Sequence, residues 1–87
     1  ICFLGVGGIS KNGISTYALP DTAVNRVILE RTTGHRIIVT EGFKVGRDSN
    51  FHTADCNMIT HLITDHTADP ETVAYLKSIG VKVIFIS

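Results

Sequence analysis

The chain has 87 residues, which is enough for one small domain. Its hydrophobic fraction of 44%, with eight Gly and two Pro, excludes disordered and collagen-like chains. Eight basic residues balance eight acidic ones, so the chain lacks the surplus of cations that non-specific nucleic-acid binders and acidic membrane surfaces require. No apolar run is long enough for a membrane span or a signal peptide, and two distant Cys form no disulfide framework. We expect a reduced, cytoplasmic protein.

The amino-terminal half predicts a strand, a loop, a helix and a second strand. Residues 1–6 form a continuous apolar run, typical of a strand that is covered on both faces of a parallel sheet. Residues 7–13 resemble a loop with an Asn12-Gly13 turn, and residues 14–18 a short extended segment. A helix of about three turns is predicted from Asp21 to before Gly34, and residues 36–40 form a second buried strand. The apolar face predicted for this helix consists of Ala23, Val24, Val27 and Ile28.

The carboxyl-terminal half continues the alternation. Residues 41–50 are polar and predict a loop, and residues 51–58 are ambiguous between an edge strand and a turn. A third strand is predicted at residues 62–64. Asp69-Pro70-Glu71 is a strong helix start, because it combines an N-cap carboxylate, Pro in the first turn and a further acid. That helix ends at Ile79-Gly80, and residues 81–86 form the last strand.

Strands that alternate with helices predict an α/β fold, a mostly parallel sheet with flanking helices and right-handed crossovers. The chain lacks an initiator Met and opens directly in a strand. We therefore expect a fragment of a longer polypeptide.

Three polar loops follow the first three predicted buried strands, and parallel strands would bring these loops to one edge of the sheet. They carry Gly7-Gly8, then Glu41 through Arg47 with Lys44 between them, and then Asp65. Ligands bind at the carboxyl ends of strands in such sheets. Glycine amides and a Lys form a plausible phosphate cradle, and the acids suit sugar hydroxyls. The alternatives are that Gly7-Gly8 is a plain turn and Lys44 a solvated loop charge.

Other common chemistries lack their motifs. The segment GVGGISKNG has neither the order of a P-loop nor the spacing of a dinucleotide-binding fingerprint. His52 and Cys56 are four residues apart, but no CxxC or HExxH motif accompanies them, so we expect no metal. No GxSxG elbow is present, and Cys2 in its apolar run is expected to be a small core residue.

Four blocks of the sequence, in this order, are similar to the C-terminal sensor domain of the DeoR family of transcriptional regulators. The blocks are FLGVGGIS with NGIS, DTAVNRVILERT, RIIVTEGFKVGR, and HLITDHTADPETVAYLKSIGVKVIFIS. The matching positions are Gly5, Gly7, Gly8, Ile9, Gly13, Ile14, Val24, Arg26, Lys44, Gly46, Ile63, Thr64, Asp65, Gly80 and Val81, with Asp21 and Glu41 in place of similar acids. The chain departs from the family pattern at Asn25, which replaces a Lys, and at Gly42 and Phe43, which replace two serines.

The resemblance implies that residues 1–87 are the C-terminal part of an effector-binding domain with a fold similar to ribose-5-phosphate isomerase. It implies a repressor that is no enzyme, needs no cofactor, binds a phosphorylated sugar or related metabolite, and forms a homo-oligomer without membrane contact. DNA would be bound only by an N-terminal winged helix-turn-helix domain outside this chain. The ligand-binding residues expected are Gly7, Gly8, Asp21, Glu41 and Lys44, with Lys44 as the principal cation and the two glycines as amide donors.

Two further functions stay open. A sugar-phosphate isomerase would use Glu41 or Asp65 as general base and Lys44 to stabilise an enediolate. A dimerisation module without a ligand would instead use exposed strand edges for pairing.

Overall fold

The computed structural model describes residues 1–86 of the chain. These residues form seven strands and two helices. The strands are β1 (Cys2–Leu4), β2 (Gly8–Ser10), β3 (Gly13–Thr16), β4 (Arg36–Val39), β5 (Phe51–Ala54), β6 (His61–Thr64) and β7 (Lys82–Phe85). The helices are α1 (Leu19–Arg31) and α2 (Pro70–Ser78), and short 3-10 turns span Gly42–Lys44 and Cys56–Met58.

The main sheet is parallel throughout and has the strand order β1-β4-β6-β7. Each strand pairs with the next strand of this sheet along the chain, so the sheet grows in one direction only. Right-handed crossovers that always step in the same direction pass over the same face of a sheet. Both helices and the second sheet therefore lie on one side, and the predicted α/β fold with a mostly parallel sheet is confirmed.

The core lies between that side of the sheet and its crossovers. Alternate side chains of a strand point to opposite faces, and the inward set includes Leu4, Ile38, Leu62 and Val83. Ile38 and Leu62 are fully buried, and they belong to one apolar cluster with Leu29 of α1 and Leu76 of α2. We call this side of the sheet the covered face.

The opposite side, which we call the open face, is not covered by any segment of residues 1–86. Phe3 is 61% exposed, and Val39 and Ile84 are about two-fifths exposed although they lie within strands. Within residues 1–86 the strands are therefore covered on one face, whereas the apolar runs predict cover on both faces. The apolar runs hid the difference, because a run without alternation assigns no side to a residue.

A small antiparallel sheet, β2-β3-β5, packs over the covered face. Its first two strands form a hairpin in which Ser10 pairs with Gly13 across Lys11 and Asn12. Gly13 has a φ of 121°, which side chains rarely adopt. The Asn12-Gly13 turn is confirmed, but the loop predicted at residues 7–13 is half of this hairpin. The extended segment predicted at residues 14–18 falls on β3, and the ambiguous residues 51–58 contain β5 and a 3-10 turn.

Helix α1 begins at Leu19, two residues before the predicted start, and buries another face than predicted. Its buried residues are Thr22 and Leu29, whereas Val24 and Val27 are exposed. The Thr22 hydroxyl hydrogen-bonds to the Thr16 hydroxyl of β3. Polar contacts to the small sheet thus set the rotation of the helix.

Helix α2 begins and ends close to where the sequence predicts. The Asp69 carboxylate caps it by accepting hydrogen bonds from the Thr72 amide at 3.0 Å and from the Thr72 hydroxyl at 2.7 Å. Both bonds hold the pKa of Asp69 below its ordinary value, and the bond from the Thr72 hydroxyl has the larger effect. Gly80 has a φ of 96° and turns the chain into β7. Neither helix in residues 1–86 combines the length and apolarity needed to cross a bilayer.

Candidate functional site

The parallel strands bring the polar loops after β1, β4 and β6 to one edge of the main sheet, as predicted. A cleft of about 380 Å³ opens there at the carboxyl end of β1, beside the start of α1. This volume lies in the range of small-ligand sites. The cleft, which we call the β1 cleft, is lined by Gly5, Val6, Gly7, Thr16, Tyr17, Asp21, Asn25 and Lys44.

Lys44 is the cation of the β1 cleft. Its side chain is only 20% exposed, and its Nζ lies 3.7 Å from Oε1 of Glu41. The ammonium also lies 5.8 Å from the ring centroid of Tyr17 and 5.7 Å from that of Phe43. Both distances fall within cation–π range. Two aromatic rings and one carboxylate thus hold a partly buried positive charge at the cleft.

The loop after β6 fixes the turn that carries Lys44. The Asp65 carboxylate accepts hydrogen bonds from the Gly42 amide at 3.0 Å, the Thr67 amide at 2.8 Å and the Thr67 hydroxyl. The Thr67 hydroxyl and then the two amides hold the pKa of Asp65 below its ordinary value. A methyl group on Gly42 would overlap the same carboxylate. Asp65 therefore positions the turn and has little capacity left for a ligand.

The start of α1 forms another wall of the β1 cleft. Pro20 and Asp21 lie in its first turn, and the N-cap residue is Ala18, which offers no side-chain cap. The first-turn amides of the helix are therefore uncapped by side chains, and the positive end of the helix dipole is directed to this edge. Asp21 is exposed and contributes a carboxylate to the cleft. Within residues 1–86 the Asp21 carboxylate accepts no hydrogen bond from the first-turn amides.

Of the five predicted ligand-binding residues, Gly7, Asp21 and Lys44 meet in the cleft, and Glu41 borders it through its contact with Lys44. Gly7 is not the free amide donor that was expected, because its N–H already donates to the carbonyl of Ser15 at 2.9 Å. Gly8 does not line the cleft. It is buried in β2, where a methyl group would overlap the carbonyl oxygen of Arg47, so it is needed for close packing of two backbones.

Sequence reasoning did not assign five of the lining residues to the site: Gly5, Val6, Thr16, Tyr17 and Asn25. Gly5 directly follows β1, and a methyl group there would meet no atom within 4 Å, so its backbone faces open space. The sequence placed Gly5 inside the strand predicted at residues 1–6, so nothing marked it as part of the loop after β1. Tyr17 and Asn25 became accessible to prediction only once the hairpin and the rotation of α1 were known.

His52 and Cys56, which the sequence analysis considered as metal ligands, have other contacts. Nε2 of His52 lies 3.3 Å from Oδ1 of Asp55, and the Cys56 thiol donates to the carbonyl of Ser10 at 3.0 Å. Burial, and next the nearby Asp55 charge, raise the pKa of Cys56. Within residues 1–86 no three His, Cys, Asp or Glu side chains gather as a metal site would require.

Comparisons of the chain with family models, curated proteins and solved structures give no match.

Proposed function

We propose that the chain is the effector-binding domain of a DeoR-type regulator of sugar metabolism and that it binds a phosphorylated sugar in the β1 cleft. The observation that carries the proposal is the partly buried ammonium of Lys44 at the carboxyl end of β1. Carboxyl ends of parallel strands are the usual ligand-binding edge of an open α/β sheet.

The lining residues fit a ligand with one anionic end and one hydroxylated end. Lys44, the Asn25 side chain and the uncapped start of α1 suit the phosphate. Asp21 and Glu41 suit sugar hydroxyls, which donate hydrogen bonds to carboxylates. A free phosphate alone would leave the Asp21 carboxylate without a partner, so the site chemistry favours a sugar phosphate over inorganic phosphate.

In such a cytoplasmic regulator, the ligand would act through its different affinity for two states of the protein. Binding would shift the equilibrium between DNA-bound and released forms only by as much as these affinities differ. The DNA contact would belong to a winged helix-turn-helix domain outside residues 1–87, and the fold would be similar to that of ribose-5-phosphate isomerase.

The test is calorimetric titration of the chain with a panel of aldose and ketose phosphates, with the unphosphorylated sugars and inorganic phosphate as controls. Lys44→Ala should weaken binding by roughly tenfold or more, as expected for the loss of a hydrogen bond to a charged group. The matched control is Lys11→Ala, an exposed Lys in the hairpin turn, which should leave binding unchanged. If no sugar phosphate binds, or if Lys44→Ala binds like the wild type, the proposal fails.

The isomerase alternative gains no support from the acids that it needs. Asp65 accepts three hydrogen bonds from its own and the neighbouring loop, and Glu41 is paired with Lys44. A general base needs a free oxygen within reach of the substrate. We therefore keep binding without turnover as the proposed function, and an aldose–ketose interconversion assay on the same panel distinguishes the two.

A further inference from the structure

Two of the polar groups that line the β1 cleft are already used by the fold. The Gly7 amide donates to the carbonyl of Ser15 at 2.9 Å, and the Thr16 hydroxyl donates to the carbonyl of Ala18 at 3.3 Å. A donor that is already paired gains little from a ligand, because it only exchanges one hydrogen bond for another. Recognition is therefore left to the other lining residues.

Tyr17 is the aromatic residue among those that line the cleft. It is 52% exposed, although it directly follows β3, whose four residues are all buried. Its main chain is anchored on both sides, because Thr16 pairs with Phe51 of β5 and the Asn50 side-chain amide donates to the Tyr17 carbonyl at 3.2 Å. An anchored backbone with an exposed ring gives the cleft a flat apolar surface.

That surface lies beside the two charges that the proposed function uses. The Lys44 ammonium lies 5.8 Å from the centroid of the Tyr17 ring. Asp21 lines the same cleft, is exposed, and forms no ion pair within residues 1–86. A space of about 380 Å³ thus offers a cation, an aromatic face and a free carboxylate. A sugar ring is only a few bonds from its phosphate, so a phosphate on Lys44 leaves the sugar within reach of Tyr17.

A sugar in its ring form matches these three groups better than an open chain does. One face of a sugar ring carries C–H groups, which pack against the negative face of an aromatic ring. The hydroxyls at the rim of the sugar donate to carboxylates. An open-chain sugar phosphate has no such flat face, and it loses rotational freedom about several carbon–carbon bonds when it is held in one conformation.

We propose that Tyr17 is a specificity-determining residue, which selects the ring form of a sugar phosphate over open-chain forms by packing against the sugar ring. The selection rests on the proposed function, because it concerns the same ligand in the same cleft. Lys44 binds the phosphate of either form, so the choice between the two forms falls to Tyr17.

Calorimetric titration with matched pairs of ligands tests the proposal. The aldose phosphates are glucose-6-phosphate, galactose-6-phosphate and ribose-5-phosphate. Each is paired with the alditol phosphate that borohydride reduction makes from it, which keeps the phosphate charge and cannot close into a ring. For the aldose phosphates that bind, wild type should bind the ring form at least about fivefold more tightly than its open-chain partner.

Three variants assign this preference to a residue. Tyr17→Ala should reduce it to about twofold or less, whereas Tyr17→Phe keeps the aromatic face and should keep the preference. Phe43→Ala is the matched control, because the Phe43 ring lies 5.7 Å from the Lys44 ammonium but does not line the cleft. It should leave the ratio of the two affinities unchanged, even where it weakens both. Circular dichroism should show that all three variants keep the wild-type fold.

The outcomes separate the selection from the proposed function. An alditol phosphate that binds as tightly as its aldose phosphate would overturn the selection and leave sugar-phosphate binding intact. Equal weakening of both ligands by Tyr17→Ala would also overturn it, because Tyr17 would then act only by holding Lys44. If none of the six ligands binds, the selection and the proposed function fail together.

Discussion

Ile38 and Val39 are adjacent in β4 but point to opposite faces of the main sheet, so truncating them should cost very different free energies. Ile38 is fully buried in the core, whereas Val39 on the open face is 43% exposed. Ile38→Ala removes three carbons and leaves a cavity, which costs about 3 kcal/mol in well-packed cores. Val39→Ala removes two carbons that are still partly exposed to water in the folded chain, which costs less than about 1 kcal/mol.

The difference is large relative to the whole stability, which is roughly 4–13 kcal/mol for a domain of this size. Ile38→Ala should lower the melting temperature by roughly 12–24 °C and Val39→Ala by only a few degrees. Urea unfolding followed by circular dichroism, at protein concentrations where the chain is monomeric, measures both free energies. Equal costs for the two variants would refute the one-sided sheet, because they would mean that Val39 is as well packed as Ile38.

Three further predictions concern Gly8 in β2 and the loop residues Asp65 and Glu41. Gly8→Ala should lower the free energy of unfolding in urea by roughly 2 kcal/mol or more, because its methyl group would overlap the Arg47 carbonyl; Gly5→Ala, with open space around it, is the control and should cost far less. The pKa of Asp65 is held below the ordinary 3.8, mainly by the Thr67 hydroxyl, so its contribution to stability is present above that value and is lost as the pH falls through the lowered pKa. Asp65→Asn should reduce the fall in melting temperature that accompanies a lowered pH. An unchanged dependence of the melting temperature on pH would contradict this prediction. Glu41→Gln should strengthen the binding of inorganic phosphate by roughly two- to fivefold in calorimetry, since an exposed carboxylate that competes for Lys44 is worth up to about 1 kcal/mol; an unchanged or weaker affinity would show that Glu41 does not compete.

The sequence predicts elements well where a local signal is strong. The start of α2 is confirmed, and it was predictable because Asp69 and Pro70 act within one turn of the helix. The parallel strands are also confirmed, and they were predictable because their apolar runs are short and bounded by loops. These signals depend on neighbours in the chain and need no tertiary information.

The hairpin and the rotation of α1 could not be predicted in the same way. The residues of β2 and β3 are Gly, Ile, Ser and Thr, all buried, so no alternation of polar and apolar side chains marks them as strands. In α1 the apolar Val24 and Val27 predict the wrong face. The face is set instead by Thr22, bonded to Thr16, and by Arg26, which donates to the carbonyls of Thr53 and His52.

The residues of the candidate site likewise divide into those that local sequence signals predict and those that tertiary contacts place. Gly7 and Lys44 could be brought to one edge because parallel strands place their loops together, whereas Asp21 was expected there from the family resemblance alone. The role of Gly8 could not be foreseen, since only the folded chain shows that the Arg47 backbone passes against it. Thr16, Tyr17 and Asn25 reach the cleft through the hairpin and α1, the two elements whose placement needed tertiary contacts.

The strand order of the main sheet also has a consequence for biosynthesis. Each strand of the order β1-β4-β6-β7 pairs with the strand of the same sheet that was synthesised before it. The nascent chain can therefore enlarge this sheet stepwise as it leaves the ribosome. No completed pair has to reopen to admit a later arrival. A parallel sheet is ordinarily slow to form because distant segments must first meet. Here each new strand pair closes only a loop of moderate length.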